Sequence, residues 1–157
     1  MTIMNEDECA TFMDAPSWAL EFPSRGTYIR FCKNEPLLEV LRSIKNGSSE
    51  WAYRYVTLCY AGSANSGILL YPLQDSEAPY FDFRYGASVD PRQVLRPLLE
   101  RFPQCCILDW SRGRQACLEA VGADVELLAE IMQEIAGLLW GEQSHLVDGW
   151  YEEMGRA

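Results

Sequence analysis

Glu126, Glu130 and Glu134 recur every four residues, so any helix that contains them carries three carboxylates on one face. Like charges at that spacing cost an isolated helix about 0.2–0.5 kcal/mol per pair, and no Lys or Arg between Glu119 and Gly155 offsets them. A row of carboxylates recognises cations, which makes the stripe a docking surface for a basic partner. Glu142, Asp148, Glu152 and Glu153 extend the acidic character. Trp140 and Trp150 lie among them, where an exposed aromatic ring can anchor a protein interface. The competing reading is a solvated acidic face, with the tryptophans in the core.

Other reactive side chains lack the partners their chemistry requires. His145 is the single histidine, so a Ser-His-Asp or Cys-His site would have to use it, with Asp148 one helical turn away to orient the ring. No GxSxG or papain-like cysteine context supplies a nucleophile. One histidine and no CxxC pair leave zinc without its usual ligand spacing. The loop 61–67, AGSANSG, lacks the glycine spacing, the lysine and the following helix of a phosphate-binding loop. The pairs Asp75/Glu77 and Asp82/Asp90 have the residue types for glycoside hydrolysis, but spacing along the chain does not fix the separation that chemistry needs. Arg112 and Arg114 flank Gly113 beside Asp109 and Trp110, as a solvated turn or an anion contact. The reading contains no catalytic residue, no metal ligand and no cofactor.

The six cysteines, Cys9, Cys32, Cys59, Cys105, Cys106 and Cys117, fall mostly within expected strands and read as reduced structural thiols. Cys105 and Cys106 would point to opposite faces of a strand. The net charge of −10 is uneven. Residues 1–24 hold five acids and no base, residues 25–118 hold twelve bases and nine acids, and residues 119–157 hold nine acids and Arg156 alone. Such a field repels nucleic acid and anionic membranes and attracts a basic protein. No apolar run approaches the roughly 18 residues of a membrane span, and the acidic N-terminus does not read as a secretory signal. The expectation is a soluble cytoplasmic protein, monomer or homodimer, with a basic protein partner.

The elements that must position these residues read as one α+β domain over 1–157, an antiparallel sheet (meander plus hairpin) with helices packed against it. Residues 1–25 read as an irregular acidic arm able to pack through Phe12, Trp18 and Phe22. Thr27 to Cys32 alternates as a strand. Asn34 then suits a helix cap before Leu37, Leu38, Leu41 and Ile44, with Asn46-Gly47 as the stop. Trp51 to Tyr60, Ile68 to Leu73 and Tyr80 to Tyr85 read as three strands of a meander. Asp90-Pro91 starts a helix in which Pro97 forces a kink or a late start. Gln104 to Trp110 is a strand, and Gln115 to Val121 is strand or helix. Asp124 to Trp140 is an amphipathic helix with Leu128, Ile131, Ile135 and Leu138 on its apolar side. A shorter helix over His145 to Met154 completes an acidic, helical C-terminal region, 123–157.

With its net charge, its α+β pattern, its lack of an export signal and the stripe Glu126-Glu130-Glu134, the chain resembles the small acidic immunity proteins that bacteria make against their own toxins. That resemblance implies stoichiometric inhibition, with carboxylates covering a basic active site and aromatic side chains filling its cleft. From Glu35 to Trp140 the order helix, three strands, helix, two strands, helix is similar to that of type III secretion chaperones, which implies a dimer that holds a secretion substrate. A strand before the first helix and the acidic arm depart from that pattern. The chain is similar in acidity to phage inhibitors that mimic the charge of DNA, anti-restriction and anti-CRISPR proteins among them; its basic central segment weakens full mimicry, though not mimicry by one end. A carboxylate-based enzyme is the alternative from a different class.

Overall fold

In a computed structural model, residues 28–47, 51–60, 66–74 and 76–152 are described, the side chains of Tyr28 and Glu152 excepted. The expected arm, Cys9 and Glu153 lie outside them. Strand β1 (Tyr28–Pro36) leads into helix α1 (Leu37–Asn46), followed by β2 (Val56–Tyr60), β3 (Ile68–Leu70) and β4 (Tyr80–Arg84). Two short helices, α2 (Pro91–Val94) and α3 (Arg96–Arg101), precede the hairpin β5 (Cys105–Ser111) and β6 (Gln115–Ala120). Helix α4 (Val125–Trp140) and strand β7 (Leu146–Glu152) complete the order. All strand pairs are antiparallel, in the spatial order β1-β7-β2-β3-β4-β6-β5. The chain is therefore an α+β domain.

Alternation sorts the sheet into two faces. Val56, Leu58 and Tyr60 on β2, Ile68 and Leu70 on β3, Phe81 and Phe83 on β4, and Ala116, Leu118 and Ala120 on β6 share one face and are almost fully buried. They form a single cluster with Leu37, Val40, Leu41 and Ile44 of α1, Leu98 of α3, and Leu128, Ile131, Met132 and Ile135 of α4. Burying one such side chain contributes about 1.5–3 kcal/mol, so this layer is the principal stabilising element.

Helix α4 begins and ends as its sequence dictates. Asp124 caps it by accepting from Leu127 N–H at 2.9 Å. Gly141 adopts φ 64°, the left-handed conformation that glycine enters without a Cβ penalty, and its N–H turns back to Gly137 O at 3.2 Å. Pro97 acts as expected: Leu95, at φ −94° and ψ 15°, separates α2 from α3.

Four local expectations are corrected. Where a helix is expected over His145 to Met154, the described residues 146–152 are strand β7, inserted between β1 and β2 and paired with both. Gly149 suits that position, because a Cβ there would lie 2.5 Å from Phe31 Cζ and 2.9 Å from Cys32 Sγ. The expected strand over Trp51 to Tyr60 is shortened to β2, since Tyr53 takes φ 65° and breaks the extended chain. The next strand ends at Leu70 rather than Leu73. Asn34 does not cap α1; it lies at φ 57° within β1, and Pro36 holds the cap position without a side-chain hydrogen bond. The open choice over Gln115 to Val121 resolves as strand β6.

Among the described cysteines, Cys32, Cys105, Cys106 and Cys117 are free thiols. Cys105 is buried and Cys106 exposed, on opposite faces of β5. Burial is the main reason the Cys32 and Cys117 thiols are pushed up to about 12 and that of Cys105 to about 11, so all three stay protonated at neutral pH.

Candidate functional site

The glutamate stripe lies on the outer side of α4, away from the sheet. Its charges are met by bases brought from other helices. Arg42 of α1 bonds Glu126 at 3.0 Å and Glu39 at 2.9 Å. Arg101 of α3 pairs with Glu134 and lies 3.9 Å from Glu130. The two arginines therefore tie four glutamates into a network across α1, α3 and α4. Glu126 and Glu130 remain 55% and 57% exposed, whereas Glu134 is 19% exposed. Hydrogen bonding to Glu126 is the leading reason that Arg42 binds its proton more tightly than usual. Four carboxylates against two guanidinium groups leave a net negative ridge whose side chains are already oriented.

The remaining expected contact residues do not all join this ridge. Glu142 follows α4 and accepts from Ser144 N–H at 3.1 Å. Trp140 is half-buried, packs against the core and meets the Tyr60 ring at 6.1 Å. Alternation along β7 places Val147 in the core and Asp148 and Trp150 on the opposite sheet face, away from α4. Asp148 accepts from the Asn34 N–H at 2.8 Å, and Trp150 is only 4% exposed. Trp150 is therefore not an exposed anchor, and the acidic set divides between two sides of the molecule. Glu152 falls on β7 and Glu153 beyond the described residues.

A polar site that sequence reasoning missed lies on that second face. Asp82 of β4, Cys117 of β6 and Asp109 of β5 sit opposite one another across adjacent strands. With Trp110, Ser111 and Gln115 they line a cavity of about 20 Å³, room for one water molecule. Tyr71 donates to Asp82 Oδ2 at 2.9 Å, and its ring stacks on Tyr80 at 4.5 Å and meets Tyr55 edge-on at 5.1 Å. Burial raises the Asp82 pKa although the Tyr71 and Cys117 hydrogen bonds oppose the shift. The alternation of Tyr80, Asp82 and Arg84 against Phe81 and Phe83 carried the signal for this face, but three separate strands assemble the group.

The other sequence candidates stay apart. His145 is exposed and precedes β7, and its carbonyl accepts from Leu37 N–H at 2.8 Å; the helix that would have set Asp148 one turn from its ring is absent. Ser66 closes the described end of the 61–67 loop by bonding the backbone of Tyr60. Asp90 caps α2 through Arg92 N–H at 2.9 Å and pairs with the Arg92 side chain, away from Asp82. Asp75 lies outside the described residues. Arg112 and Arg114 are exposed on the β5–β6 turn, where Gly113 has φ 75°. Among the described residues no three His, Cys, Asp or Glu side chains gather as metal ligands, and no helix is long and apolar enough to cross a membrane. No protein-family model, curated protein or solved structure matches the chain.

Proposed function

We propose that this chain is an acidic, non-catalytic cytoplasmic binding protein that neutralises a basic protein by one-to-one association, in the manner of an immunity protein against a bacterial toxin. The observation that carries the reading is the oriented ridge on α4. Glu126 and Glu130 keep more than half of their side-chain surface in water, with Glu126 held by Arg42 at 3.0 Å and Glu130 beside the Arg101 guanidinium that Glu134 fixes. Fixed carboxylates lose less conformational entropy on meeting a cation than free ones, and their excess charge speeds encounter with a basic surface. The test is co-purification from the native host, followed by titration of the recovered partner with the wild-type chain and with Glu126→Gln/Glu130→Gln/Glu134→Gln. One-to-one binding that weakens in the variant and in salt supports the reading; unchanged affinity removes α4 from the interface.

A second reading rests on element order. From α1 to α4 the chain runs helix, three strands, a broken helix, two strands, helix, the order that secretion chaperones of the type III class share. That reading requires a homodimer, so sedimentation equilibrium separates the two: a stable dimer that holds an unfolded substrate segment favours it, and a monomer favours the immunity-type reading.

A further inference from the structure

On the sheet face opposite the helices, one cross-strand row carries tyrosine on three successive strands. The register of β2, β3 and β4, continued by one residue, sets Tyr55 beside Tyr71 and Tyr71 beside Tyr80. The pairs Tyr80↔Glu119 and Cys106↔Glu119 carry the row on through β6 to β5. The Tyr71 ring stacks on Tyr80 at 4.5 Å and meets Tyr55 edge-on at 5.1 Å. The neighbouring row through Thr57, Leu69 and Asp82 is buried, but this one reaches solvent. Tyr80 is 38% exposed and Cys106 is exposed; Leu108 and Val121, on the same face by alternation, are 50% and 53% exposed. An aromatic and aliphatic strip of this kind marks an interaction surface rather than scattered exposure. The charges set into it are negative. Glu119 stands between Tyr80 and Cys106, exposed Asp109 follows Leu108, and the carbonyl of exposed Glu77 accepts from Gly122 N–H, next to Val121, at 2.7 Å. The occupant that complements the strip therefore combines apolar groups with positive charge.

An added β-strand is not that occupant. On the outer edge of β5 the Cys105 N–H already donates to Phe102 O at 3.0 Å, and Ile107 O accepts from Arg92 at 3.3 Å, so two backbone groups that strand addition would use are taken. The occupant lies across the strands instead, and their spacing selects its form. Strands stand about 4.8 Å apart, so Tyr55 to Tyr80 and Tyr80 to Cys106 are each two spacings, about 9.6 Å. A polyproline II helix repeats every three residues at about 3.1 Å each, or about 9.3 Å. Laid across the face, it presents the same ridge to Tyr55, to Tyr80 and to the Cys106–Leu108 edge in successive turns. Proline rings pack on aromatic side chains, and prolines bring no backbone N–H that would need an acceptor. We propose that this strip binds an extended proline-rich segment carrying arginine or lysine, with prolines over Tyr55, Tyr80 and Leu108 and bases at Glu77, Glu119 and Asp109. The surface lies on the opposite side of the sheet from the α4 ridge, and the inference does not depend on the role of that ridge.

Calorimetric titration of the full chain with a synthetic Arg-Pro-Pro repeat peptide tests it, with an Arg-Gly-Gly repeat of the same length as a probe of equal charge and no polyproline helix. The proline peptide should bind one-to-one and at least about tenfold more tightly than the glycine peptide, because its bound conformation is already formed. Tyr80→Ser/Leu108→Ser should weaken that binding at least about tenfold. Glu126→Gln/Glu130→Gln/Glu134→Gln should leave the preference for proline unchanged. Equal affinity for the two peptides, binding of neither, full binding by the Tyr80→Ser/Leu108→Ser variant, or a preference abolished by the α4 substitutions overturns the proposal. Should the Tyr80→Ser/Leu108→Ser variant lose its fold, hydroxyl-radical footprinting of the wild-type chain decides. Saturating proline peptide should protect Tyr80 and Leu108 several-fold, and unchanged oxidation of both overturns the proposal.

Discussion

Replacing Arg101 by methionine keeps most of the side-chain volume and removes the charge that α3 offers to α4. Three losses follow. The pair with Glu134, a carboxylate only 19% exposed, is the largest, while the contact to Glu130 at 3.9 Å, with both groups more than half exposed, adds little. Exposed ion pairs contribute about 0.2–1 kcal/mol after solvent screening, and the Glu134 pair belongs near the top of that range. The guanidinium also lies 4.8 Å from the centre of the Phe102 ring, a contact of about 0.5–1 kcal/mol at an exposed site. Without the base, repulsion between Glu130 and Glu134 returns at about 0.2–0.5 kcal/mol. Arg101→Met should therefore lower the unfolding free energy by about 1.5–2.5 kcal/mol in low salt, read from urea denaturation with an unchanged slope. The deficit should shrink in 1 M salt, where the screening length falls to about 3 Å. Paired with Glu134→Gln in a double-mutant cycle, the coupling should be about 0.5–1 kcal/mol. A neutral substitution with zero coupling would refute the claim that tertiary contacts organise the ridge.

Three further outcomes follow from the geometry. Gly149→Ala should destabilise the chain by about 1–3 kcal/mol in urea, because the new methyl meets Phe31, whose ring is held between Trp51 at 5.1 Å and Tyr151 at 5.8 Å; a neutral result would show that the ring yields freely. Asp124→Ala should cost about 1 kcal/mol and show first as faster amide exchange in the first turn of α4; equal exchange would contradict the cap. Asp82 binds its proton more tightly folded than unfolded. Its ionisation therefore withdraws stability as pH rises from its ordinary value of 3.8 through the higher folded value. Asp82→Asn should remove that decline, so the variant gains on wild type as pH rises through this window and holds its advantage above it; parallel stability curves would show that the carboxyl is not desolvated.

The sequence carried the fold where local pattern and tertiary demand agree. Helix α4 has a cap at Asp124, apolar residues at three- and four-residue spacing and a terminal Gly141, and it forms where that pattern places it. Phe81 and Phe83 alternate against Asp82 in β4, and both rings are buried as a strand requires. Strand β7 was illegible for a physical reason: Leu146, Val147, Trp150 and Tyr151 fit a helical stripe as well as an alternating one. The choice is made by β1 and β2, more than a hundred and about ninety residues earlier, whose backbone groups both pair with it. The same distance hid the charge balance. Arg42 stands 84 residues from Glu126 and Arg101 stands 33 from Glu134, so a stripe that looks uncompensated along the chain is half-compensated in space. Asp148 and Trp150 were grouped with that stripe by proximity in sequence, but the period of β7 turns them to the other face.

The claim that the α4 ridge binds a basic protein is tested most directly by calorimetric titration of the co-purified partner at two salt concentrations. The wild-type chain should bind one-to-one and weaken as salt rises. Glu126→Gln/Glu130→Gln/Glu134→Gln should bind more weakly at low salt and lose most of that salt dependence. Equal affinity and equal salt dependence for the two chains would contradict the account.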